Sequence, residues 1–149
     1  MNVYNRCFDD QSQVRIRLET AAIEGIFALA EGRKLTLAWS FVLDYENSLN
    51  PFEDRKEGVE LLSRLCTDTI TPSPAISKLA GRIIRSTRVR PRDALHLASA
   101  EAGECDCFVT CDDALIRTVL RARPVLRLKV KAINPVEFIR REGERHGES

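Results

Sequence analysis

No stretch of this chain approaches the ~20 consecutive apolar residues that a membrane-spanning helix requires. The opening Met1-Asn2-Val3-Tyr4-Asn5-Arg6 has no apolar core of a secretory leader. Both absences lead us to expect a cytoplasmic protein that does not enter a membrane. Internal repeats, low-complexity tracts and a glycine-rich phosphate loop are also missing, so neither a repeat architecture nor P-loop chemistry finds support. Net charge is nearly absent as well: 23 Lys and Arg against 22 Asp and Glu leave a formal +1, too little to coat nucleic acid by bulk electrostatics. The five cysteines are odd in number and lack framework spacing, which favours reduced thiols over disulfides. Cys105, Cys107 and Cys111 lie close in sequence, but Cys105 and Cys107 precede an apolar strand and no fourth ligand is near. A zinc site therefore ranks behind small buried thiols.

What the chain does have is enough apolar mass for one core: 44% of its 149 residues are hydrophobic and 30% charged. We expect one domain over residues 1–139 and a disordered polar tail over 140–149. The charge is unevenly laid out. Arg82, Arg85, Arg88, Arg90 and Arg92 form one basic stripe, and Arg121, Arg123, Arg127, Lys129 and Lys131 another, each with no acid in between. Such stripes hold phosphates or are solvated faces, with equal weight for each taken singly.

Residues 1–11 read as irregular. A helix is expected from Ser12, its N-cap, with Val14, Leu18, Ala22, Ile26 and Leu29 on one face and Gly32 as its stop. Leu35–Trp39 alternates as a strand, and Ser40 caps a helix to about Leu49 on which Val42, Glu46 and Leu49 share a face. That face aims Glu46 at the core and turns Asp44 away. A helix over about 53–66, a strand at 67–71 and a helix through Ile76, Leu79, Ala80, Ile83 and Ile84 follow. The most informative stretch is Pro91-Arg92-Asp93-Ala94-Leu95-His96-Leu97-Ala98-Ser99-Ala100, a buried helix that carries Asp93 into the core end-on, where taken alone it serves as a helix cap at least as readily as a catalytic acid. Gly103 closes it, Cys107–Thr110 is a buried parallel strand, and Asp112 and Asp113 open the next helix. Leu126, Leu128, Val130 and Ala132 alternate with basic residues as a last strand, and Asn134-Pro135 starts a short helical turn around Phe138.

Strands alternating with helices predict an α/β layer architecture with a mainly parallel sheet, whose functional crevice lies at the carboxyl ends of the strands. Glu46, Asp93 and Asp112 all fall near such ends. Carboxylates gathered there repel one another unless a hard divalent cation sits among them, and Mg²⁺ or Mn²⁺ in such a pocket serves phosphodiester hydrolysis.

Four segments in order, Asn2–Arg6, Ser40–Glu46, Pro91–Ala98 and Val109–Asp112, resemble the successive signatures of PIN-domain proteins, the family of the VapC-type toxins. The resemblance implies a three-layer α/β fold with a mainly parallel central sheet flanked by helices. It implies a Mg²⁺- or Mn²⁺-dependent single-strand endoribonuclease, a hydrolase that is often the toxin of a toxin–antitoxin pair, commonly a homodimer inhibited by its antitoxin protein. By position, Glu46, Asp93 and Asp112 match the acidic metal-site residues, Thr110 the hydroxyl residue before the last acid, and Asn2 the asparagine near the first acid. In this family a hydrophobic first strand ends in Asp, then Thr or Ser, then Asn; here Met1 stands in the Thr or Ser position, so the fold is expected with its first strand and that Asp missing. An upstream start is favoured over a decayed copy, and the chain as written is expected to be less stable and less active than a longer relative.

Further candidates are Asp113 as helix cap or aid to Asp112, Arg6 and Arg92 as phosphate contacts or, with equal weight, partners of nearby acids, His96 as a satisfied core or rim histidine ahead of a substrate contact, and Asp9 and Asp10 as loop carboxylates. The alternative from another class is a non-catalytic PIN-like module that binds an antitoxin or RNA. A phosphatase ranks lower, for want of a nucleophilic Asp on an N-terminal strand.

Overall fold

The computed structural model describes residues 1–146. Helix α1 (Asn2–Asn5) and a 3₁₀ turn (Arg6–Phe8) occupy the segment expected to be irregular. Helix α2 spans Val14–Glu31 and is closed by Gly32, but its buried side is not the expected one. Glu19, Ala22, Ile23, Ile26 and Phe27 face inward, while Val14 and Leu18 are exposed. The reason is a buried charge: Glu19 is 1% exposed, pairs with Arg6 (3.3 Å) and Arg15 (3.4 Å), and accepts a hydrogen bond from Asn134 Nδ2 at 2.6 Å. Ser12 does not cap this helix. Its own N–H instead donates to Asp10 Oδ1.

Strand β1 (Ala38–Ser40) runs into α3 (Phe41–Ser48), and Ser40 Oγ accepts from Leu43 N at 3.3 Å as the expected cap. Helix α4 (Glu53–Ser63), strand β2 (Asp68–Ile70), helix α5 (Pro74–Ser86), helix α6 (Pro91–Ala102) and strand β3 (Cys107–Val109) follow. Helix α7 (Asp113–Leu126) then runs through Pro124 and stops where Arg127 turns left-handed at φ 55°. The last strand, β4, is therefore only Lys131–Ile133. Residues 129 and 130 cannot join its ladder because both their N–H groups donate to the Glu101 carboxylate.

The sheet is two parallel pairs, β1 with β2 and β3 with β4, and among the described residues no strand bridges them. Two apolar clusters cut across this division, for Ile70 of β2 packs with Phe108 of β3 and Ala132 of β4 while Trp39 of β1 packs with Cys111. One joins Ile76, Ala80 and Ile83 of α5, Ala94, Leu97 and Ala98 of α6, and Leu115, Val119 and Leu126 of α7. The other gathers Tyr4, Ile23, Phe27, Val59 and Cys111, with Trp39 packed edge-on to Tyr4. The small residues of α6 let its neighbours approach closely, and Gly103 lies against Ile70, leaving no room for a Cβ.

Residues 140–146, expected to be a disordered tail, continue helix α8 (Pro135–His146); 147–149 lie outside the described residues. Spacings of three and four pair Arg140 and Arg141 with Glu137, and Arg140 with Glu144, which supports a helix where composition alone suggested solvated coil. The five cysteines are free, and burial pushes every thiol up from its ordinary range. No helix among the described residues is long and apolar enough to cross a membrane.

Candidate active site

The acids that follow β1 and β3, Glu46 and Asp112, lie within electrostatic reach of Asp93 at the start of α6. Strand β3 delivers Thr110, which is 1% exposed, and this hydroxyl organises the segment that follows. Thr110 Oγ1 accepts from Asn2 Nδ2 at 2.9 Å and from Asp112 N at 3.2 Å. Asn2 closes the ring by accepting from Cys111 N at 3.1 Å through Oδ1. The chain start is thereby tied to the end of β3 across 108 residues of sequence. Asp112 itself caps α7, accepting from Leu115 N at 3.1 Å. The cap was expected to be Asp113. That residue instead pairs with Arg15 at 2.8 Å, which holds its carboxyl below the usual range.

Glu46, on the second turn of α3, is half-buried and hydrogen-bonds His96 Nε2 from α6. His96 is 6% exposed and packs beside Phe108, so it joins the site as the partner of an acid and not as a rim residue. Burial works against the charged form of Glu46. The hydrogen bond and charge of His96, with the Met1 amino group and Arg92, nevertheless hold its carboxyl below the ordinary value.

Asp93 behaves in the opposite way. Burial is the main cause that raises its carboxyl above the ordinary range; Asp112 and Glu46 add to it, and His96 and Arg90 oppose it. Two acids within reach of one another's charge thus carry opposite shifts, which marks them as candidates for a functional site. The amino end of Met1 is buried beside Glu46, Asp93 and Cys111.

The three sequence-selected acids thus meet in one electrostatic neighbourhood. They do not yet form a ligand cage: among the described residues no three His, Cys, Asp or Glu side chains are grouped closely enough to hold a metal ion. Glu46 is engaged by His96 and one Asp112 oxygen by its helix cap. The donor set, all carboxylate oxygen and mutually repelling at Asp93, is nonetheless the chemistry that suits a hard divalent cation.

Arg6 is committed elsewhere, to Glu19 at 3.3 Å and Asp9 at 3.1 Å. Asp9 also pairs with Arg55 at 3.6 Å, and Asp10 binds the Ser12 N–H. Arg92 remains at the site, exposed, over the ring of Tyr45 at 5.7 Å. A cleft of about 300 Å³ beside Glu46 is lined by Leu49, which is exposed and not inward as expected, by Pro51 and Arg92, and by two residues that sequence reading passed over, Phe52 and Arg55. Their signal in the sequence is faint, an aromatic and an arginine three residues apart after a helix stop.

The family model described as PIN domain matches residues 18–119, a span that contains Glu46, Asp93, Thr110 and Asp112 and leaves Asn2 outside. No curated protein and no solved structure matches the chain.

Proposed function

Because this chain belongs to the PIN-domain family, whose members are generally nucleases, we propose that it is a metal-dependent endoribonuclease with Glu46, Asp93 and Asp112 holding Mg²⁺ or Mn²⁺. The observation that supports this most is the shared field at Asp93, whose carboxyl is raised by burial and then by Asp112 and Glu46. Bound there, a divalent cation supplies Lewis-acid screening of a phosphodiester and acidifies nearby water. The chain's own residues do the rest. Thr110 and Asn2 fix where Asp112 stands, His96 orients Glu46 and balances its charge, and exposed Arg90 and Arg92 attract a phosphate backbone. The finer reading is that the chain is a cytoplasmic toxin acting on single-stranded RNA, a homodimer restrained by an antitoxin protein.

The test is RNA cleavage. It should require Mg²⁺ or Mn²⁺, stop with EDTA, and fall by orders of magnitude in Asp93→Asn. Undiminished cleavage in that variant overturns the assignment. One observation favours a second reading, a PIN-like module that binds RNA or an antitoxin without cutting: the three acids are not grouped as ligands. Calorimetric titration separates the two, since the nuclease must take up Mn²⁺ in a manner that Asp93→Asn abolishes.

A further inference from the structure

Residues 45–52 combine three large apolar side chains that the fold leaves in water: Tyr45 is 57% exposed, Leu49 54% and Phe52 58%. Two of them are backed by guanidinium groups. Arg55 lies over the Phe52 ring at 4.9 Å from its centroid, and Arg92 over Tyr45 at 5.7 Å. Arg55 is held in place from beneath, donating to Phe8 O at 2.7 Å and pairing with Asp9 at 3.6 Å. Phe52, Arg55, Arg92 and Leu49 border the cleft whose inner end is Glu46.

We infer that this cleft is a base-stacking subsite for single-stranded nucleic acid, with Phe52 in its lining and the exposed Tyr45 ring, joined to it through Arg92, as the stacking faces, and with Arg55 and Arg92 as their cationic support. The charge pattern decides which part of a nucleotide enters. Glu46 at the inner end repels a phosphate, whereas a neutral base with a polarisable face gains from aromatic and guanidinium planes alike. Phosphates are left to the exposed rim, where Arg88 and Arg90 stand on the approach to α6. A base within a duplex has both faces covered, so the subsite selects unpaired strands. Placed beside Glu46, a stacked base would anchor the strand next to the acids. The inference rests on the nuclease reading and adds to it the residues that choose single strands.

The experiment is fluorescence anisotropy with a labelled 12-nucleotide RNA, its duplex and an abasic strand of equal length, in EDTA, using the full chain. Wild type should prefer the intact single strand over both others. Phe52→Ala and Tyr45→Ala should each weaken that binding by roughly tenfold, bringing it to the level of the abasic strand, while Phe52→Tyr keeps it. Both rings are exposed, so unchanged melting temperatures will confirm that the variants fold. Alanine variants that bind like wild type, or an abasic strand bound as tightly as the intact one, overturn the subsite. If metal-dependent cleavage persists in that case, the nuclease reading stands without it. If wild type binds none of the three and cleaves nothing, both fall.

Discussion

Thr110→Val tests the arrangement on which the site depends. The substitution keeps shape and burial and removes one hydroxyl, which accepts from Asn2 Nδ2 (2.9 Å) and Asp112 N (3.2 Å). Each lost bond is worth about 1 kcal/mol, and leaving a part-buried backbone N–H without an acceptor adds about 1 more. The expected cost is therefore about 2–3 kcal/mol. For a chain of this size that lowers the melting temperature by roughly 4–12 °C. Thr110→Ser retains the hydroxyl and gives up one methyl, for about 1 kcal/mol. Urea denaturation of Thr110→Val, Asn2→Ala and the double variant supplies the coupling, expected near 1 kcal/mol because the two side chains share a bond. Coupling of zero, together with Thr110→Val as stable as Thr110→Ser, would refute the idea that this hydroxyl ties the chain start to the acid-bearing turn.

Other consequences can be checked with the same apparatus. In EDTA, Asp93→Asn should melt above wild type near neutral pH. The folded carboxyl is raised, so the folded state binds more protons than the unfolded chain above the ordinary carboxylate value, and stability falls as pH rises through that window. The gap between variant and wild type should close on acidification, and a gap that widens would contradict the assignment. Glu19→Ala should cost about 3 kcal/mol by equilibrium unfolding, because it strips Arg6, Arg15 and Asn134 of a buried partner. Gly103→Ala would place a Cβ 2.6 Å from Ile70 Cδ1, so it should lose about 1–3 kcal/mol, and Ile70→Val should restore part of that.

Much of the architecture was legible because local signals agreed with it. Pro91 at the start, Gly103 at the end and the small apolar stripe between them delimit α6 as observed, and Ser40 caps α3 as its position implies. The order of elements around Glu46, Asp93 and Asp112 followed from alternation of strand and helix. Where expectation failed, a distant partner had overridden the local pattern. Glu19 rotates α2 because Arg6 and Asn134 reach it from both ends of the chain, which periodicity of apolar residues alone does not register. Glu101 takes the backbone donors of residues 129 and 130 and shortens β4, though Leu126 to Ala132 alternates well. The pairing of Glu46 with His96 joins residues 50 apart in sequence; spacing placed each near the pocket but not against the other. Arg15 is the partner that draws Asp113 out of the role of cap.

Two apolar clusters, one gathering α5, α6 and α7 and the other the amino-terminal segment, make this a molecule with two places to come apart. The cluster of α5, α6 and α7 is formed by segments adjacent in sequence, whereas the other must fasten residues 1–8 to positions beyond 100. Loop closure of that length is the more costly, so thermal fluctuations should release the amino-terminal half first while amide protons in α6 still resist exchange. The acids straddle that seam, with Glu46 on the looser side and Asp93 on the firmer one. Opening along it would separate them before the chain as a whole unravels.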